Sequence, residues 1–342
     1  MSNEKPVPAR TGTVLTEALI SDLKDRILLG EEISFDEAMA LIEIEDDALF
    51  EKLMTSAREI TLFYHSNFAH LCSLINAKSN LCAEDCHFCT QSVHFKTDAD
   101  RYHLLPPNTI LEAAKINESQ GINTFCLVTS GGSLNDQEFE QILDTVRLLK
   151  KHTQLHIDGS LGFLTPERAR RLKEAGLRRF NNNLQSSREF YKKIVTTHTY
   201  DTRLETLDFL KQEGMDLCSG GILGMGESRE DRMKLAFELK PYKPECLPIN
   251  ILSPRKGTPL EAAPKIDPKE IIKTIAVYRF ILPKSNIKLA GGREAGLGGY
   301  QALALRAGAN GMITGGYLTT SGNSFEQDQA LLKEAGLEMA AG

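Results

Sequence analysis

Residues 123–184 read NTFCLVTSGGSLNDQEFEQILDTVRLLKKHTQLHIDGSLGFLTPERARRLKEAGLRRFNNNL. Strand-like runs at Asn123–Val128, Leu155–Ser160 and Arg178–Leu184 alternate with longer runs, Asp136–Lys150 and Pro166–Ala175, whose apolar residues recur every three or four positions. Short apolar runs suit buried strands, and the wider recurrence suits amphipathic helices. Thr165-Pro166 reads as a helix start, a capping hydroxyl ahead of proline at the first helical position. Gly176 reads as a stop, because glycine accepts the left-handed backbone that closes a helix.

The alternation continues in both directions. Strand-like runs recur at Leu71–Ile75, Leu217–Leu223, Leu247–Leu252, Ile287–Ala290 and Gly311–Thr314. Helical runs lie at Ile110–Gln120, Thr202–Glu213, Glu230–Leu239, Lys269–Leu282, Tyr300–Ala307 and Phe325–Ala335. Eight strand-then-helix units over roughly 270 residues predict an α/β fold, a (β/α)8 TIM barrel over residues 67–342. A doubly wound open sheet shares the alternation and is the alternative. Residues 1–66 read as a helical N-terminal extension, with Ser34 and Glu37 forming a capping box, and are expected to cover one end of the barrel.

With 41% hydrophobic residues in 342, the chain is rich enough in apolar surface to bury a full core. Forty basic against 46 acidic residues give a net charge of -6, which argues against a general nucleic-acid binder. There is no apolar run of about 18 residues to span a membrane. Met1 to Thr13 lacks the apolar segment of a signal peptide, so a cytoplasmic location is expected. Seven cysteines in such a chain call for an explanation other than a disulfide framework.

Three of them, Cys82, Cys86 and Cys89, are spaced C-x3-C-x2-C directly after the first strand. Structural zinc takes four ligands, commonly as two C-x2-C pairs. No second pair follows here, and His87, between two of the cysteines, is poorly placed as a fourth ligand. Three thiolates suit a [4Fe–4S] cluster with one iron left open to a small chelating ligand. Elsewhere, Ser130-Gly131-Gly132 after the Cys126 strand lets backbone approach a ligand closely. Asn181 and Asn183, two apart on one strand, project from one face, and each amide both donates and accepts.

C-x3-C-x-aromatic-C after the first strand of an α/β barrel resembles the radical S-adenosylmethionine (SAM) superfamily. Within it the chain is similar to the biotin synthase family from about Leu71 to Thr320. The likeness is carried by Cys89-Thr90-Gln91-Ser92, Phe180 to Leu184, Thr196 to Leu204, Cys218 to Ile222, Pro248-Ile249-Asn250, Gly257-Thr258-Pro259, Gly292-Arg293-Glu294 and Tyr317 to Thr320.

The resemblance implies insertion of sulfur into dethiobiotin to form biotin, with SAM chelated to the open iron and the sulfur drawn from an auxiliary iron–sulfur cluster deep in the barrel. It further implies a flavodoxin or ferredoxin electron donor and a homodimer. It assigns Ser130, Gly131, Gly132 and Arg203 to the methionine end of SAM, and Asn183 and Gln185 to its ribose. Gln185 stands where aspartate is usual. Asn181 and Asn250 fall at the ureido group of dethiobiotin, and Thr319 and Thr320 at its carboxylate tail.

At the auxiliary cluster the sequence departs from the family's three cysteines and one arginine. Cys126, Cys218 and Arg293 match, but the third cysteine falls at Asp158, a hard oxygen ligand and a poorer partner for a sulfide cluster. Cys72 and Cys246, where the family more often has serine, are expected to compensate. The favoured reading is a rearranged [4Fe–4S]-type cluster using some or all of these four cysteines. The alternative is a [2Fe–2S] cluster with Asp158 on iron. A buried arginine is costly alone, so Arg293 is expected to face the cluster or Asp158. Rival functions are another radical SAM barrel enzyme, a maturase or mutase, and a non-catalytic iron–sulfur scaffold.

Overall fold

The computed structural model describes residues 15–79, 82–319 and 322–340. Its centre is a ring of parallel strands: β1 (Phe68–Lys78), β2 (Thr124–Thr129), β3 (His156–Ser160), β4 (Arg179–Asn181), β5 (Asp216–Cys218), β6 (Gly221–Leu223), β7 (Cys246–Ile251), β8 (Asn286–Leu289) and β9 (Gly311–Ile313). Each stave pairs with its neighbour, and β9 returns to pair with β1, Cys72 lying opposite Ile313. That closure excludes the open doubly wound sheet. β5 and β6 are two parts of one stave that both pair with β7, so the ring has the eight staves of a (β/α)8 barrel. The break falls at Ser219-Gly220, where a side chain on residue 220 would run into the Pro248 carbonyl. A two-residue strand, β10 (Glu338–Met339), extends the sheet at the start of β1.

The helices begin and end where the local chemistry directs. Thr165 caps Pro166–Ala175 by accepting from the Arg168 N–H at 3.3 Å, and Gly176 closes that helix at φ 104°. Ser34 and Glu37 form the expected capping box.

The N-terminal extension supplies α1 (Glu17–Leu28), α2 (Phe35–Ile42) and α3 (Asp47–His65). Its helices pack against the outer helices of the barrel. α3 lies alongside the helix Pro268–Ile281, with Asp47 and Lys269 paired at their starts at 2.6 Å. At their ends His65 Nε2 meets Arg279 Nη1 at 2.9 Å. Buried Arg279 is satisfied by the carbonyls of Pro283, Ser285 and Gly308 and by Asn310 Oδ1 at 2.7–3.0 Å. This meets the demand that a buried cation be fully hydrogen-bonded. Apolar side chains of the extension and barrel form one core. Among the described residues no helix is long and apolar enough to cross a membrane.

Candidate active site

The C-terminal ends of the strands surround a cavity of about 430 Å³. At its mouth stand Cys82, Cys86 and Cys89, on the loop after β1. That loop is tied down from the far side of the barrel. Asp85 accepts the Thr196 N–H at 2.9 Å and the Thr197 N–H at 3.2 Å. Burial opposes its charge, yet these bonds outweigh it and hold the carboxyl well below the usual carboxylate range. Burial pushes the Cys86 thiol up to about 12 and Cys89 up to about 11. These thiols therefore keep their protons at neutral pH until a metal displaces them.

Among the described residues no three His, Cys, Asp or Glu side chains converge on one point, as a single ion such as zinc requires. Ligands of a four-iron cube stand around it instead, and three thiols facing one open cavity suit that arrangement. His87 is not among the cavity's lining residues; its ring lies edge-on to Phe95.

Ser130, Gly131 and Gly132 lie beside the cysteine loop, and the Gly131 backbone hydrogen-bonds the Cys82 thiol. A Cβ on residue 132 would press on the Glu84 carboxylate and force that side chain to shift. Glu84 Oε2 meets His198 Nδ1 at 2.5 Å, His198 Nε2 meets the Tyr191 hydroxyl at 2.6 Å, and Arg203 Nε donates to that hydroxyl at 2.6 Å. Arg203 thus stands in the cavity wall, with Asn182 Oδ1 at 3.2 Å and the Phe163 ring 5.5 Å away. The acid–imidazole–phenol chain was not anticipated from sequence, because Glu84 and His198 are 114 positions apart.

Asn181 and Asn183 share a face as expected, Asn181 Nδ2 lying 3.4 Å from Asn183 Oδ1 and 3.2 Å from Cys218 Sγ. Gln185 takes left-handed backbone at φ 71°, costly for a side chain of its kind. Its Oε1 lies buried without a partner in the cavity wall. Asn250 is already braced, its Oδ1 accepting from the Gly291 N–H at 3.0 Å and its Nδ2 donating to the Gly221 carbonyl at 3.3 Å. Thr319 lines the cavity with its hydroxyl 3.3 Å from that of Thr90. Thr320 lies outside the described residues.

The floor holds the second cysteine group. Cys72 (β1), Cys126 (β2) and Cys218 (β5) line the cavity, and buried Cys246 (β7), not itself among the lining residues, sits beside Cys218 in direct register with it. A shared hydrogen bond, with burial, raises Cys218 well above the thiol range, and the same bond lowers Cys246 against the opposing effect of burial.

Asp158 (β3) also faces the floor, but its Oδ2 is held by Arg179 Nε at 2.9 Å and Nη2 at 2.7 Å. The register explains the pair, since residues 158 and 179 are side by side on β3 and β4. Asp158 Oδ1 is buried without a partner.

Arg293 contradicts the sequence reading. It is not among the residues lining the cavity, and it faces neither the cysteines nor Asp158. Its guanidinium grips Asp328 at 2.7 and 2.8 Å and donates to the Tyr317 hydroxyl at 3.0 Å. The rule that a buried arginine needs an anion holds, but the anion is Asp328.

The cation that does line the floor is Lys288 on β8, 4% exposed. Burial works against its charge, and neighbouring Cys246 and Cys72 outweigh it, holding its pKa above the usual lysine range. The signal was present in Ile287–Ala290, where one charged residue interrupts an otherwise apolar barrel strand.

Comparison with known proteins divides the chain in two. Residues 77–239 match the Radical SAM superfamily and residues 248–338 the Biotin and Thiamin Synthesis associated domain. Biotin synthase of Clostridium tetani is 43% identical over 94% of this chain and 98% of that protein. Biotin synthase of Gloeothece citriformis is 44% identical over 98% and 96%. Among solved structures, methylornithine synthase (PylB) superposes with a TM-score of 0.80 at 22% identity, covering 93% of this chain and 97% of that one. HydG, a maturase of the [FeFe]-hydrogenase, gives 0.82 at 18%, covering 96% and 76%. At those identities the structural likeness speaks for the barrel alone.

Proposed function

This chain belongs to the biotin synthase family, and on that premise we propose how its own residues divide the work of inserting sulfur into dethiobiotin. The observation that carries the proposal is a single cavity with three cysteines at its mouth, an asparagine pair midway, and a second cysteine group on its floor. Cys82, Cys86 and Cys89 hold the [4Fe–4S] cluster. Some or all of Cys72, Cys126, Cys218 and Cys246 hold an auxiliary cluster of [4Fe–4S] type, because thiolates are softer partners for sulfide-bridged iron than Asp158, whose Oδ2 is held by Arg179 and which has only Oδ1 free. When bound, the clusters and SAM supply the reducing electron, the 5'-deoxyadenosyl radical and the sulfur.

The polypeptide positions, encloses and neutralises. Ser130-Gly131-Gly132 gives the methionine end of SAM a close backbone approach, and Arg203, fixed by Tyr191 and Asn182, faces its carboxylate. Asn183 and Gln185 serve the ribose, and the unpaired Gln185 Oε1 supports that role, since a ribose hydroxyl would satisfy it. Asn181 and Asn250 present amides to the ureido group, and Thr319 and Thr320 take the carboxylate tail. No acid–base pair is needed at the reacting carbons. A flavodoxin or ferredoxin donor, a homodimer and a cytoplasmic location complete the proposal on family grounds.

Iron and sulfide analysis of anaerobically reconstituted protein tests the cluster assignment. Two cubanes give about eight irons per chain and a [4Fe–4S] with [2Fe–2S] pair about six. A count near four removes the second cluster and the sulfur-insertion reading together. In the same samples, 5'-deoxyadenosine formation must depend on dethiobiotin, with two formed per biotin.

A further inference from the structure

Seven lysine and arginine side chains are buried among the described residues, and six hydrogen-bond or pair with a protein group. Lys78 meets Glu138, Arg179 meets Asp158, Arg232 meets Glu227, Lys273 meets Glu270 and Arg293 meets Asp328. Arg279 is wrapped in carbonyls. Lys288 is the exception: no hydrogen bond or ion pair joins its ammonium to any described residue. It lines the same floor as Cys72, Cys126 and Cys218, and the carboxylate on that floor, Asp158, is held by Arg179. With no carboxylate free to balance it, the counter-charge of Lys288 must come from the cysteine sulfurs of that floor and the group they hold.

We propose that Lys288 is a positioning residue for the auxiliary cluster, its ammonium facing the cluster's sulfides and offsetting the negative charge of the thiolates that hold it. The inference rests on the reading of the floor as the auxiliary site. A protonated amine has no lone pair for iron, so Lys288 acts through charge and hydrogen bonding and is not a ligand. Net charge and hydrogen bonds to sulfur set the reduction potential of such clusters. A fixed cation favours the reduced, more negative state.

Lys288→Met removes the charge with little change in volume, and Lys288→Arg keeps it. Both are reconstituted anaerobically as full-length protein, assayed for iron and sulfide, and titrated redox-potentiometrically with the mouth cluster as internal reference. Lys288→Met is expected to lower the midpoint of the auxiliary cluster alone. The expected size is at least a tenfold change in the reduced-to-oxidised ratio, ~59 mV for one electron. Lys288→Arg returns it toward the original value. An unchanged midpoint in Lys288→Met overturns the proposal. If Lys288→Met loses the auxiliary iron, retention in Lys288→Arg supports the charge role, and loss in both variants overturns it. A wild-type protein with about four irons overturns the auxiliary-site reading itself, an outcome separate from any behaviour of the variants.

Discussion

Asp158→Asn separates a structural carboxylate from an iron ligand. In the native chain both Arg179 bonds land on one oxygen, Oδ2, at 2.9 and 2.7 Å, and side-chain exposure is 10% for Arg179 and 4% for Asp158. Asparagine keeps the shape and an acceptor oxygen but removes the charge, leaving Arg179 and Lys288 as two buried cations on one floor. Removing one partner of a buried pair costs about 3–5 kcal/mol. Across a chain of this length, with unfolding entropy near ~2.1 cal/mol/K per residue, that is a fall of ~4–7 °C in Tm. Arg179→Met is expected to cost less, because it leaves Asp158 with Lys288 nearby. The double variant should also be more stable than Asp158→Asn alone. Differential scanning fluorimetry of the cluster-free protein measures all three, and iron analysis of reconstituted samples shows whether the clusters persist. The reasoning fails if Asp158→Asn leaves Tm unchanged while iron per chain drops, for then the carboxylate belongs to the metal.

Arg293→Lys breaks the paired grip on Asp328 and is expected to destabilise by about 1.5–3 kcal/mol, with iron content unchanged; chemical denaturation and iron analysis check both. Gln185→Gly relieves the left-handed backbone and is expected to raise stability by about 1 kcal/mol while weakening SAM binding about tenfold, ~1.4 kcal/mol. Equilibrium binding to cluster-loaded protein tests the second half, and unchanged affinity would falsify the ribose assignment. Cys86 and Cys89 have folded-state pKa values of about 12 and about 11 against 9.0 for a free thiol. The folded state therefore binds more protons than the unfolded state above pH 9, and the stabilisation, complete below that pH, is lost as pH rises through 11 to 12. Denaturation midpoints of cluster-free protein across that window should fall, whereas cluster loading, which expels those protons, should become more favourable toward pH 9.

The barrel was legible in the sequence because its strands and helices differ in period, and glycine or proline marks many of their junctions. The mouth of the site was equally legible, since all three cysteines lie within eight residues of one loop. What sequence missed depends on contacts between distant segments. The Glu84–His198–Tyr191–Arg203 chain joins the loop after β1 to the region after β4. Arg293 was misassigned because sequence order gives no hint that Asp328, 35 positions on, turns back to meet it. Lys288 is a single charge inside an apolar strand, a sign visible in the sequence, but what it faces depends on the closure of the barrel. Asp158 was recognised as anomalous, but its explanation lies in strand register with Arg179, which only the closed sheet reveals.

Anomalous scattering at the iron edge, from crystals grown and frozen without oxygen, tests the two-cluster cavity most directly. The account predicts one iron centre among Cys82, Cys86 and Cys89 and a second on the floor among Cys72, Cys126, Cys218 and Cys246, with the Lys288 ammonium against it. Iron at the mouth alone, or zinc in place of either centre, contradicts it.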